Sequence, residues 1–185
     1  MKRIFQTCSL SLALSTCTLA AERAIDAAAS RLTIHVGKSG FFSAAGHEHE
    51  VSAPIAEGAL DDSNAGRVWF RLDAAKLSVL PEKDREAVQR TMQQQVLESD
   101  KFPEIRFEST AVKADGAGKW LVTGNLSLHG QKKPITVEAQ RQGNAYVGQT
   151  RVKQTEFGIT PVNAAGGTVK VKDELKIDFL IVAKN

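Results

Sequence analysis

Five stretches of this chain alternate apolar and polar side chains residue by residue, and few architectures tolerate that pattern. Leu32, Ile34 and Val36 alternate with Arg31, Thr33 and His35. Val68, Phe70 and Leu72 alternate with Trp69, Arg71 and Asp73, and Ile105, Phe107 and Ser109 with Arg106, Glu108 and Thr110. Ile135, Val137 and Ala139 alternate with Thr136, Glu138 and Gln140. Leu175, Ile177, Phe179 and Ile181 alternate with Lys176, Asp178 and, imperfectly, Leu180. Side chains on a strand point to opposite faces in turn, so a period of two marks a sheet with one face buried. Further strand candidates are 48–60, 119–128 and 145–154.

Turn residues punctuate these runs. The segments 61–66, 115–118 and 142–144 are rich in Asp, Asn and Gly, which accept a positive φ. His129-Gly130-Gln131-Lys132 predicts a tight hairpin before Pro134. One segment departs from the pattern: Glu82 to Leu97 lacks Gly and Pro, and Val88, Met92 and Val96 fall four residues apart. That spacing is one stripe of a helix, so a helix is predicted at about 82–97, inserted between strands. About eight strands are counted, the number at which an antiparallel barrel closes with room for one small ligand. The expected fold is all-β, an eight-stranded antiparallel barrel with one inserted helix. A chain of 185 residues suits one such domain.

The first twenty residues fit this fold poorly and read as a signal peptide. Lys2 and Arg3 precede a short apolar run, and Thr18-Leu19-Ala20 supplies a small-residue cleavage site. The expected domain is then 21–185, exported to a periplasm. A second reading is a lipoprotein box at Leu14-Ser15-Thr16-Cys17, which would anchor the chain at Cys17. Both cysteines, Cys8 and Cys17, lie in this segment, which excludes thiol catalysis and cysteine metal sites from the cleaved domain. The net charge is +3, and removal of Lys2 and Arg3 leaves +1 with no basic block. Nucleic acid is not an expected partner.

The sharpest local feature is Gly46-His47-Glu48-His49-Glu50. On a strand His47 and His49 share a face and could share a metal, with His35 or His129 as a third ligand. The alternative is a polar patch at a barrel mouth. The spacing differs from the helical zinc-protease motif, which needs histidines four apart. No Gly-x-Ser-x-Gly elbow and no phosphate-binding glycine loop is present, so catalysis is not expected and no cofactor is expected. The apolar alternation fits either a solid core or a lined tunnel.

Several stretches resemble the YceI-like family of periplasmic polyisoprenoid-binding proteins. These are Asp84-Arg85, the run Phe102-Pro103-Glu104-Ile105-Arg106-Phe107-Glu108-Ser109-Thr110, and the run from Gly124 to Val137 that contains Leu128-His129-Gly130 and Lys133-Pro134. The resemblance covers about Ala24 to Ala183. It implies a lipocalin-like barrel with an elongated apolar cavity, an isoprenoid or other long-chain lipid as ligand, and no catalysis. Membrane contact would come only through ligand exchange or a lipidated Cys17. Gly46-His47-Glu48-His49-Glu50 departs from the plainer family sequence. The inward-facing candidates for the lipid are Val68, Phe70, Leu72, Val88, Met92, Ile105, Phe107, Ile135, Val137, Ile177 and Phe179. The competing expectations are a metal- or haem-associated protein built on His47 and His49, and a structural partner with a filled core.

Overall fold

Alternating runs become strands where each can pair with a neighbour of the same pattern, and this chain pairs them almost entirely in sequence order. The computed structural model describes residues 22–39, 49–61, 66–81, 85–164 and 169–184. Its strands are β1 (Arg23–Ala24), β2 (Arg31–Val36), β3 (Lys38–Ser39), β4 (His49–Ala53), β5 (Ile55–Asp61), β6 (Arg67–Asp73) and β7 (Ser78–Val79). They continue as β8 (Glu104–Ala114), β9 (Lys119–Leu128), β10 (Gln131–Gln142), β11 (Ala145–Lys153), β12 (Asn163–Ala164), β13 (Val169–Val171) and β14 (Glu174–Val182). The main sheet is antiparallel in the order β1-β5-β6-β8-β9-β10-β11-β14-β2-β4-β7. A small sheet, β12-β13-β3, lies apart from it.

The sheet curls into a barrel because one strand serves both of its flanks. β4 pairs with β2, and β5 pairs with β6. Only Pro54 separates β4 from β5, and proline has no N–H for a ladder. The backbone therefore joins the two flanks covalently at that residue. The strand count differs from the expected eight: nine described strands have five or more residues, and five have two or three. Eight are recovered when β4 and β5 count as one strand bent at Pro54. An isolated bridge, Ile25 to Ala183, ties the β1 segment to the end of β14.

Register decides which side chains point inward. Phe70 sits opposite Phe107, Leu72 opposite Ile105, Val137 opposite Val122, Phe179 opposite Leu32 and Ile177 opposite Ile34. Bulges in β5, between Ile55 and Glu57, and in β8, between Ser109 and Ala111, shift the parity by one. Inward positions thus pass from Ile55 to Leu60 and from Phe107 to Val112. The β9–β10 hairpin turns through His129 at φ 50° and Gly130 at φ 72°. Two left-handed residues in a two-residue loop match the twist of the flanking strands. Pro134 lies within β10 but beyond the stretch that β11 pairs, so its missing N–H leaves that ladder intact.

Among the described residues the inserted helix is less regular than expected. Its α-helical part, α1, is Arg85–Thr91, and a π-helical turn, Met92–Val96, follows. Residues 82–84 of the expected helix lie outside the described residues, as do the signal-peptide segment, Cys8, Cys17 and residues 40–48. Val88, Met92 and Val96 pack against the core without being buried. Polar side chains hold the helix to the barrel. Gln89 accepts from the Val79 N–H at 2.7 Å and donates to the Leu77 carbonyl at 2.9 Å. Gln93 donates to the carbonyls of Ala74 and Leu77, both at 3.0 Å. Arg85 donates to the Val79 carbonyl at 2.7 Å and to Ser78 Oγ at 2.9 Å.

Candidate functional site

The inward side chains do not fill the barrel. They enclose a cavity in which the centre of a water molecule could occupy about 230 Å³. The distinction between solid core and tunnel, open in the sequence, is thereby drawn for this chain. Nine of the eleven lipid-facing candidates line the cavity: Val68, Phe70 and Leu72 from β6, Ile105 and Phe107 from β8, Ile135 and Val137 from β10, and Ile177 and Phe179 from β14. Val88 and Met92 are outside its wall. They pack on the core from the helix, whose position is set by its Gln and Arg bonds to residues 74–79, and Val96 and Leu97 reach the cavity in their place.

The wall also holds residues not singled out from sequence. Trp120, Val122, Leu126 and Leu128 of β9 belong to it, with Tyr146, Thr150 and Val152 of β11. The β9 residues carry the same period-two signal as their neighbours. In β11, Gly148 and Thr150 occupy inward positions and dilute it.

Two strand glycines allow phenylalanine rings to lie against the wall. A Cβ on Gly124 would sit 2.5 Å from Cζ of Phe107, and one on Gly148 would sit 2.6 Å from Cζ of Phe179. Each ring thus occupies the space that a side chain on the facing strand would take. Phe107 in turn stacks on Phe70 with centroids 5.5 Å apart. At the end of the barrel away from the β9–β10 hairpin, Trp120 and Tyr146 meet edge to face at 5.6 Å.

Polar groups on the wall are few and mostly engaged. Asp61 and Arg67 stand at the β5–β6 end, where Arg67 pairs with Glu108 at 3.1 Å. Thr150 donates to the Thr136 carbonyl at 2.9 Å, and the buried Gln154 donates to the Lys172 carbonyl at 2.9 Å. A wall of this kind rewards a long apolar guest and gives a charged one no interior partner.

At the opposite end lies a small charged cluster. His129 Nε2 is 3.1 Å from Glu98 Oε2, and His129 Nδ1 is 3.3 Å from the Phe157 carbonyl. Lys101 donates to Glu98 Oε1 at 2.6 Å. The hydrogen bond from Lys101, then that from His129, hold the Glu98 carboxyl below the usual range despite some desolvation.

Among the described residues, the histidines proposed for a metal do not converge. His49 begins β4 opposite Val36, on the inward face shared with Val51. His35 is opposite Glu50, so it points to the other face and cannot join His49 as a ligand. On that outer face it contacts Asp178 at 2.9 Å and Glu50 at 3.3 Å. Burial pushes the Asp178 carboxyl up, but hydrogen bonds from Lys176 and His35 outweigh this and hold it below the usual range. His129 is committed at the β9–β10 hairpin. His47 lies outside the described residues. Among the described residues, no group of three His, Cys, Asp or Glu side chains is placed to hold a metal.

Comparison with known proteins agrees with this architecture. The model of the YceI-like domain family matches residues 24–183. A UPF0312 protein of Vibrio campbellii is 39% identical over 92 residues, which cover 44% of this chain and 47% of that protein. One from Shewanella denitrificans is 33% identical over 92 residues, covering 44% and 48%. The aligned stretch thus spans about half the length of these curated relatives. Among solved structures, Burkholderia cenocepacia BcnA superposes with a TM-score of 0.64 at 21% identity, covering 86% of this chain and 99% of that one. A polyisoprenoid binding domain from Saccharophagus degradans, implicated in plant cell wall breakdown, gives 0.55 at 15%, covering 87% and 97%. The Campylobacter jejuni YceI protein gives 0.53 at 16%, covering 73% and 81%. At these identities the likeness is one of fold.

Proposed function

The chain belongs to the YceI-like domain family, and on that premise we propose that it is a non-catalytic periplasmic carrier or store of a long apolar lipid, a polyisoprenoid. The observation that carries this reading is the apolar cavity running inside the barrel, with its polar groups either at an end or already bonded. Each methylene withdrawn from water into such a wall is worth about 0.8 kcal/mol before the costs of association. A prenyl chain of several units therefore needs few polar anchors. The polyisoprenoid binding domain among the structural neighbours supports the choice of ligand class. Export rests on the signal-like segment 1–20, with cleavage after Ala20 or anchoring at Cys17.

Native mass spectrometry of the protein purified from its own periplasm tests the proposal. The expected spectrum contains a co-purified mass that fragments in isoprene steps. Bare protein that also fails to take up a fluorescent prenyl analogue would overturn it.

A further inference from the structure

The segment from Arg85 to Lys101 closes one end of the cavity with an unusual economy of packing. Neither α1 nor the π-helical turn contains a buried residue. The segment is held instead by side-chain hydrogen bonds to the backbone of 74–79, and Oε1 of Gln93 is buried there with no hydrogen-bond partner. Few buried apolar contacts and an unsatisfied polar atom mark the low-stability end of a structure, where opening is easiest. A π-helical turn within such a segment is a further departure from regular helix. Yet Val96 and Leu97, which end it, form part of the cavity wall.

Beyond the bonds from Arg85, Gln89 and Gln93, a further contact ties the far end of this segment to the barrel. Glu98 follows Leu97 directly, and its carboxylate meets His129 of the β9–β10 hairpin at 3.1 Å. Glu98 (φ 44°) and His129 (φ 50°) are the positive-φ non-glycine residues among those described, and each is the other's partner. Left-handed backbone at two such residues persists where surrounding contacts hold it. The imidazole is only 12% exposed and lies 4.3 Å from the Phe102 ring. Both of its nitrogens face oxygens that can only accept: the Glu98 carboxylate and the Phe157 carbonyl. Both bonds form together only when both nitrogens carry protons.

We propose that Arg85–Lys101 is a lid on the lipid cavity, latched shut by Glu98 and protonated His129, and that loss of the imidazole proton frees it for lipid exchange. The inference rests on the lipid-carrier reading and assigns the regulation of that site. The groups facing the ring are Glu98, with Lys101 behind it, from the lid, Phe102 beyond it, and the neutral carbonyl of Phe157 from the turn before Gly158. Deprotonation removes the positive charge and one of the two donors, so the latch is stronger while the imidazole is protonated and weaker once it is neutral. Exposure of Glu98 limits the size of the effect.

The test is release of a bound fluorescent prenyl analogue to acceptor vesicles, followed by stopped flow at about pH 5.5 and about pH 8, a range over which an imidazole can lose its proton. For the wild type, release should be about three- to tenfold faster at the higher pH, the loss of part of one charge-assisted hydrogen bond. His129→Asn keeps a residue that accepts a positive φ and removes the titration, so release should be fast and flat with pH. Glu98→Gln should show a shallower profile. A flat wild-type profile, or a His129→Asn profile that still rises, would overturn the latch. Hydrogen exchange of the lid amides in ligand-free protein, corrected for intrinsic rates, separates the two claims. If no analogue binds at any pH, the carrier reading fails. Loss of lid protection at high pH in wild type but not in His129→Asn would still support the latch, and unchanged protection would reject it.

Discussion

Gly124→Ala asks whether the Phe107 ring is held against the wall by the space a glycine leaves. A Cβ at this position would lie 2.5 Å and 2.6 Å from two carbons of the ring and 2.7 Å from the Glu108 carbonyl oxygen. Ordinary carbon–carbon contact is at about 3.5–4.0 Å, so the ring must retreat by roughly an ångström. It can retreat only into the lumen, because Gly124 is on the wall side and Phe107 faces the cavity. The carbonyl belongs to the β8 ladder beside the bulge and yields less easily. Overpacking of this kind costs about 1–3 kcal/mol. Alanine also restricts the unfolded chain, which returns about 0.4–1 kcal/mol at a site without positive φ. The net expectation is a loss of about 1–2 kcal/mol, or about 3–6 °C in Tm for a domain of this size. Denaturant unfolding reads the first, and prenyl-analogue titration should show weaker binding as the ring narrows the lumen. Phe107→Leu deletes the clashing carbons, so the double variant should recover part of the loss, with a coupling of at least about 0.5 kcal/mol. Full wild-type stability in Gly124→Ala, or additivity in the double variant, would refute the reasoning.

Three further outcomes are expected. Val137→Phe adds a ring to a side chain that lines the cavity, so delipidated protein should keep its stability while prenyl-analogue binding is lost; a stability loss of about 1–3 kcal/mol with unchanged binding would show a filled core at that point. Asp173 is held below the usual carboxylate range, first by the Thr155 hydroxyl and then by the Thr155 N–H. Its folded pKa is depressed, so its contribution is present above the ordinary Asp value and is lost as pH falls through the folded one. Asp173→Asn should make acid unfolding less steep, and an unchanged acid limb would reject the assignment. Intact-mass analysis of the exported form should give a start at Ala21 or a diacylated Cys17, and a full-length product would sink both.

Period-two alternation made most of this barrel legible, because each half-buried strand repeats its inward residue every second position. Nine of the eleven chosen side chains line the cavity for that reason. Val88 and Met92 failed to do so because a helical stripe says which face is covered, not by what. Gln89 and Gln93, which the apolar stripe does not include, hold the helix to residues 74–79. Two-residue strands such as β7 and β12 carry no period at all. The bulges in β5 and β8 were invisible because they alter parity without altering composition. The pairing of His35 with Glu50 rather than with His49 is a fact of register between strands, and the alternation within one strand does not encode it.

The bend at Pro54 bears on how such a molecule avoids sticking to itself. A protein whose proposed cargo is insoluble gains nothing from surfaces that recruit copies of itself, and an unpaired strand edge is such a surface. Here the strand that would have been an edge on both sides is spent on two different neighbours, and the sheet's terminal strands, β1 and β7, are two residues long. Among the described residues, neither terminal strand extends beyond two residues for another chain to pair with. The proline that turns the barrel's corner thus sits in a sheet whose two ends offer a second copy little edge to extend.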